Sequence, residues 1–94
     1  MNINRSKHFR ERNILRNIEA GIAERVFEEA DGNYLDTVTQ MRIAIKHLEY
    51  KGKMRDVCLV YTQEANKEVT FITIHPLKES QKENRIITGR WNPL

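Results

Sequence analysis

Between Phe9 and Ala30 apolar residues recur at helical spacing, and from Tyr34 to Ile74 they alternate or cluster in short β-branched runs. Residues 6–18 predict a helix with Ser6 as N-cap and a broken apolar stripe of Phe9, Ile14, Leu15 and Ile18. Gly21 is placed to end it, since glycine takes the left-handed C-terminal position without steric cost. A second helix, Ile22 to Ala30, puts Ile22, Val26 and Phe27 on one face and Glu24, Glu28 and Glu29 on the other; Asp31-Gly32-Asn33 then reads as a turn. Two short amphipathic helices cannot bury their stripes on each other alone, so a sheet is required.

Tyr34–Thr39 predicts a weak strand. Met41–Tyr50 fits a helix or a strand, and the strand is preferred because Lys51-Gly52 makes a two-residue hairpin loop into the β-forming run Asp56–Thr62. Glu64-Ala65-Asn66-Lys67 turns the chain into Val69–His75, which stops at Pro76 because proline cannot extend a central strand. Lys78–Asn84 is polar, a loop or a short helix. The expected fold class is α+β: a single domain over residues 1–94 with two N-terminal helices (6–30) packed on a three- to four-stranded antiparallel sheet (34–76), followed by a basic C-terminal tail (77–94). A chain of 94 residues has no room for a second core.

These hairpins imply a register. With Lys51-Gly52 at one tip, His47 opposes Asp56; with Ala65-Asn66 at the other, Asp56 opposes His75. Directly opposed residues share a face. His47, Asp56 and His75 would thus form one polar row, bordered on that face by Ile43, Ile45, Cys58, Val60, Phe71 and Thr73. A slip of one residue would move His47 to the other face. Cleaving RNA takes a base for the 2′-hydroxyl, an acid for the leaving oxygen and cations for the phosphorane charge. His75 and His47 are the candidates for the first two, Asp56 for orienting them, and Arg85 and Arg90 for the third, because guanidinium matches phosphate bidentately. The plainer alternative is a cross-strand His–Asp pair that stabilises the sheet, with Trp91 as a core plug. Lys46, Arg55 and Tyr61 make a second basic group on the opposite face, read as solvated strand charges or as further phosphate contacts from Lys46 and Arg55.

Charge sharpens this picture slightly. The net charge is +3, but residues 1–18 carry five Lys/Arg against Glu11, residues 19–36 carry six acids against Arg25, and residues 37–62 return to five Lys/Arg against Glu49 and Asp56. Such blocks favour a polyanionic partner on one side. His8, His47, His75 and Cys58 lack metal-ligand spacing, and there is no glycine-rich phosphate loop, so neither metal nor cofactor is expected. No apolar run approaches the ~20 residues of a membrane span, and no apolar segment of signal-peptide type follows the N-terminal basic residues. With a lone cysteine and no internal disulfide, the expected compartment is the cytoplasm and no membrane partner is expected.

The run His8…Arg12, the Tyr34 strand, Tyr50-Lys-Gly-Lys-Met-Arg-Asp56, Val60-Tyr61, Ile72-Thr73-Ile74-His75-Pro76 and Arg85-Ile-Ile-Thr-Gly-Arg90-Trp91 resembles a family of small domains of unknown function. That family is grouped with the RelE/ParE-like toxins and the barnase–EndoU–colicin–RelE ribonuclease fold. The resemblance covers most of the chain through short motifs. It implies two helices on a four-stranded antiparallel sheet and toxins that cleave RNA without metal, ribosome-bound mRNA among the substrates. It carries over only His75 at the strand end and Arg85 and Arg90 in the tail, since catalytic residues vary in this fold. Some members of the superfamily poison gyrase instead. The expected function is therefore a metal-independent endoribonuclease, the toxin of a toxin–antitoxin pair silenced by a small acidic antitoxin protein. The alternatives are a non-catalytic RNA- or protein-binding module on the same surface and a remnant of the fold with no active site.

Overall fold

A computed structural model of the chain describes residues 3–16 and 21–94, with the backbone alone for residues 12–16. The elements run β1 (Ile3–Arg5), α1 (Lys7–Arg16), α2 (Ile22–Glu28), β2 (Gly32–Asp36), β3 (Arg42–Tyr50), β4 (Lys53–Gln63), β5 (Val69–Pro76), α3 (Gln81–Ile87) and β6 (Trp91–Pro93). The strands form one six-stranded sheet in the order β1-β5-β4-β3-β2-β6, with β1 parallel to β5 and the other neighbours antiparallel. No helix among the described residues is long and apolar enough to cross a membrane.

The expectation of two N-terminal helices on a three- to four-stranded antiparallel sheet is thereby overturned. The sheet is mixed, two or three strands wider, and joined by a third helix. The added strands have three residues each, too short to show a period. β1 (Ile3-Asn4-Arg5) is held through its backbone, in register with Val69–Phe71. The supposed basic tail contains α3 and β6. Gly32 and Asn33 of the expected turn are instead the start of β2, and the expected strand to Thr39 stops at Asp36.

Local signals in α1 act as expected. Ser6 Oγ accepts the Phe9 N–H at 3.0 Å, satisfying one of the unpaired donors at the helix start. The end of the first predicted helix, with Ile18, lies outside the described residues, as do the side chains of Ile14 and Leu15. Gly21 sits at φ 90° directly before α2.

The central strands explain why both faces need cover. Ile43, Ala44 and Ile45 in β3, and Val57, Cys58 and Leu59 in β4, are buried in succession, and successive strand residues point to opposite faces. On one face Phe9, Ala23 and Val26 from α1 and α2 close over Leu48, Leu59 and Phe71. There Phe27 meets Tyr61 edge-on at 5.2 Å and Phe71 at 5.6 Å. On the other face Ile43, Ile45 and Cys58 pack with Leu77 and Trp91, flanked by Tyr34, Val60 and Ile86.

Asp36 ties this second layer to the sheet edge. Its side chain is 6% exposed. Its Oδ1 accepts the N–H groups of Val38 (2.9 Å) and Thr39 (3.2 Å), while Oδ2 accepts Trp91 Nε1–H and Arg90 Nε–H, both at 3.3 Å. Burial pushes the carboxyl pKa up, but the two backbone donors and Arg90 outweigh it and hold it below the ordinary value of 3.8. The stability that this ionisation contributes is complete above that value and is lost as pH falls through the lower folded-state pKa. Asp36→Ala leaves Arg90 without its ion-pair partner and frees β6, at a cost of about 3 kcal/mol or more. Urea unfolding followed by the single tryptophan should show this loss at pH 7, and a shallower decline of stability below pH ~4 than in the parent.

Candidate functional site

The Lys51-Gly52 turn sets one half of the candidate site. Both residues have positive φ, 52° and 77°, as a two-residue hairpin of type I′ demands. Tyr50 therefore opposes Lys53, and His47 opposes Asp56, as the turn predicts. His47 Nδ1 and Asp56 Oδ1 are 3.0 Å apart, with side-chain exposures of 55% and 31%. A carboxylate only accepts, so Nδ1 carries the proton and Nε2 is left for another partner. The His47 backbone is also fixed. β2 ends its pairing with β3 at Gly32, and the Asp31 carboxylate takes the next position, accepting the His47 N–H at 2.7 Å. That hydrogen bond, with the charges of Lys46 and Lys82, holds the Asp31 pKa below its ordinary value despite a counteracting desolvation.

The other half of the predicted row does not form. The β4–β5 connection spans Glu64–Glu68, because Gln63 pairs with Val69 and Glu64 N–H bonds to Glu68 O. This shifts the register by one. A bulge shifts it again, since Val60 pairs with Thr73 but Tyr61 pairs with Phe71, leaving Ile72 unopposed. His75 thus faces Cys58, not Asp56. Two single-residue shifts restore the original face, so His75 and Thr73 still lie on the α3 side. Phe71, between the shifts, turns to the α1–α2 side and joins its core, contrary to expectation.

The arginines separate. Arg90 is bound to Asp36, beside the start of β3, whereas His47 is five residues farther along from Arg42, about 17 Å at strand rise. The structure thus does not bring Arg90 and His47 together. Arg85 is on α3, half-buried, and its charge acts on the Cys58 thiol at mid-sheet. Lys46 is 15% exposed and sits near two carboxylates, Asp31 at 3.8 Å and Glu29 at 4.0 Å, so it is not a solvated charge. Tyr61 belongs to the aromatic core, and burial raises its pKa although Arg42 pulls it down. Arg55 is half-buried, with its guanidinium carbon 5.9 Å from the Tyr50 ring centre.

His47 and Asp56 open onto a groove of about 670 Å³ between the hairpin and the β5–α3 connection. Its walls are His47, Lys53, Met54, Arg55 and Asp56 on one side, and Pro76, Leu77, Lys78, Glu79, Ser80 and Glu83 on the other; His75 is not among them. Lys53, Lys78 and Glu83 are not legible as site residues in the sequence, because nothing in a polar stretch shows that it will fold back over a strand end. Among the described residues, no three His, Cys, Asp or Glu side chains gather as metal ligands.

Cys58 is inert as a nucleophile. Burial, helped by the charge of Asp36 and partly offset by Arg85, pushes its thiol up to about 12. At pH 8 the native protein should resist iodoacetamide and take up one equivalent only in denaturant, which mass spectrometry reads directly. Compared with known proteins, the chain matches no family model, no curated protein and no solved structure.

Proposed function

We propose that this groove binds RNA and that the protein is an endoribonuclease in which His47, oriented by Asp56, performs acid–base chemistry. The carrying observation is the 3.0 Å contact between His47 Nδ1 and Asp56, which holds a half-exposed imidazole in the wall of a groove lined by both cations and carboxylates. Glu83 lines the same groove and provides the second proton-transfer group. Its carboxylate takes the 2′-hydroxyl proton as O2′ attacks phosphorus, and the His47 imidazolium delivers a proton to the departing 5′-oxygen, leaving a 2′,3′-cyclic phosphate and a 5′-hydroxyl. Lys78 offsets the charge on the phosphorane. His75 lies outside the chemistry in this reading.

A toxin role with a small acidic antitoxin extends the proposal and has the motif resemblance behind it. The second reading is a non-catalytic binding module. It is favoured by the mixed walls, where Lys53, Arg55 and Lys78 stand against Asp56, Glu79 and Glu83.

Cleavage of end-labelled RNA by purified protein in the presence of a chelator tests the two. His47→Ala should lower the rate by ~100-fold or more, since a positioned acid or base contributes ~10²–10⁴. Asp56→Asn should also slow cleavage, and folded His75→Ala should keep it. Intact RNA after incubation with folded parent would sink the nuclease and leave the binding module.

A further inference from the structure

The cations in this fold fall into two electrostatic classes. Arg90 and Lys46 sit against carboxylates, as does Arg5 against Glu24, so their charges are largely neutralised. The β3–β4 hairpin is different. Lys51, Lys53 and Arg55 occupy alternate positions over five residues and stand outside the ion pairs found among the described residues. Lys51 Nζ lies 5.7 Å from the centre of the buried Tyr50 ring and the Arg55 guanidinium carbon 5.9 Å from it. Arg55 Nε is buried with no acceptor. A ring quadrupole attracts a cation without cancelling its charge, so these groups are held near one another while their full positive charge still acts outward. Like charges this close on one hairpin repel each other, and an anion relieves that repulsion.

We infer that this hairpin is a phosphate-binding arm that extends the groove and grips the backbone of single-stranded RNA beyond the bond that is cleaved. The inference rests on the reading of the groove as an RNA site. Lys53 and Arg55 also border the groove, while strand alternation sends their side chains to the α1–α2 side with Leu48 and Tyr50. Met54, between them in sequence, points to the groove side, is 55% exposed and lines that wall, giving a base an apolar surface to rest on. The spacing suits a flexible single strand, whose successive phosphates can adapt to side chains on a curved hairpin. Lys51 adds a second indication. It occupies a positive-φ turn position where Asn is the less costly residue, so its ammonium is present against local conformational preference.

That turn position supplies a variant that keeps the fold. Lys51→Asn creates an Asn-Gly turn, and Lys53→Gln changes an exposed residue, so the double variant should melt no lower than its parent. The affinity of a short fluorescein-labelled single-stranded RNA of mixed sequence is measured against salt in a His47→Ala background, where cleavage does not interfere. The double variant is expected to bind more weakly at low salt. The slope of log affinity against log salt should shrink by about 1.4, because each single-strand phosphate that a cation neutralises contributes about 0.7 and two such cations are removed. Unchanged affinity and slope, with the parent still binding, overturn the arm and leave the nuclease proposal standing. Absence of RNA binding by the parent overturns both. Equal binding of polyglutamate of matched charge overturns the assignment to RNA and makes the hairpin a docking surface for acidic protein.

Discussion

Ile43, Ile45 and Cys58 point away from α1 and α2, and each Å² of such surface left in water costs about 25 cal/mol. The second face of the sheet therefore has to be closed, and the C-terminal segment does it with Trp91, Ile86 and Leu77. Asp36 makes that closure specific. One carboxylate at the end of β2 caps its own turn and receives Arg90 and the Trp91 indole, so β6 can pair only beside β2. Its ionisation survives burial because every donor around it favours the charged form.

Closing the second face also creates the groove. β5 ends at Pro76, Leu77 drops into the second core while its N–H bonds to Asp56 O, and the chain then crosses to α3. That crossing lays Lys78, Glu79 and Glu83 opposite His47 and Asp56. The groove is thus the space between a strand end that has to stop and a helix that has to cover apolar surface. Its two walls come from segments about thirty residues apart in sequence.

The electrostatic pattern separates structural charges from available ones. Lys46 and Asp31 fix the edge of β3, and Arg90 and Asp36 fix β6; each pair sits at the end of a short strand where backbone pairing runs out. His47–Asp56 is exposed and faces the groove, and the hairpin cations lie over an aromatic ring.

What the chain determined by itself is local. Ser6 caps α1 because its hydroxyl reaches Phe9 N–H, and Lys51-Gly52 set the β3–β4 register because a two-residue turn permits only one, which made the His47–Asp56 pair legible. The tertiary structure decided the rest. The five-residue loop and the bulge at Ile72 each moved β5 by one residue, so His75 left the row and Phe71 changed face to meet Phe9 and Phe27. β1 and β6 exist only because β5 and β2 offer them backbone partners, and a three-residue strand has no period of its own to read. Arg90, legible as a phosphate ligand, became a structural partner once Asp36 was buried beside it. A turn is specified by residues next to each other, whereas a bulge, an edge strand and a buried ion pair are specified by what the completed core must cover.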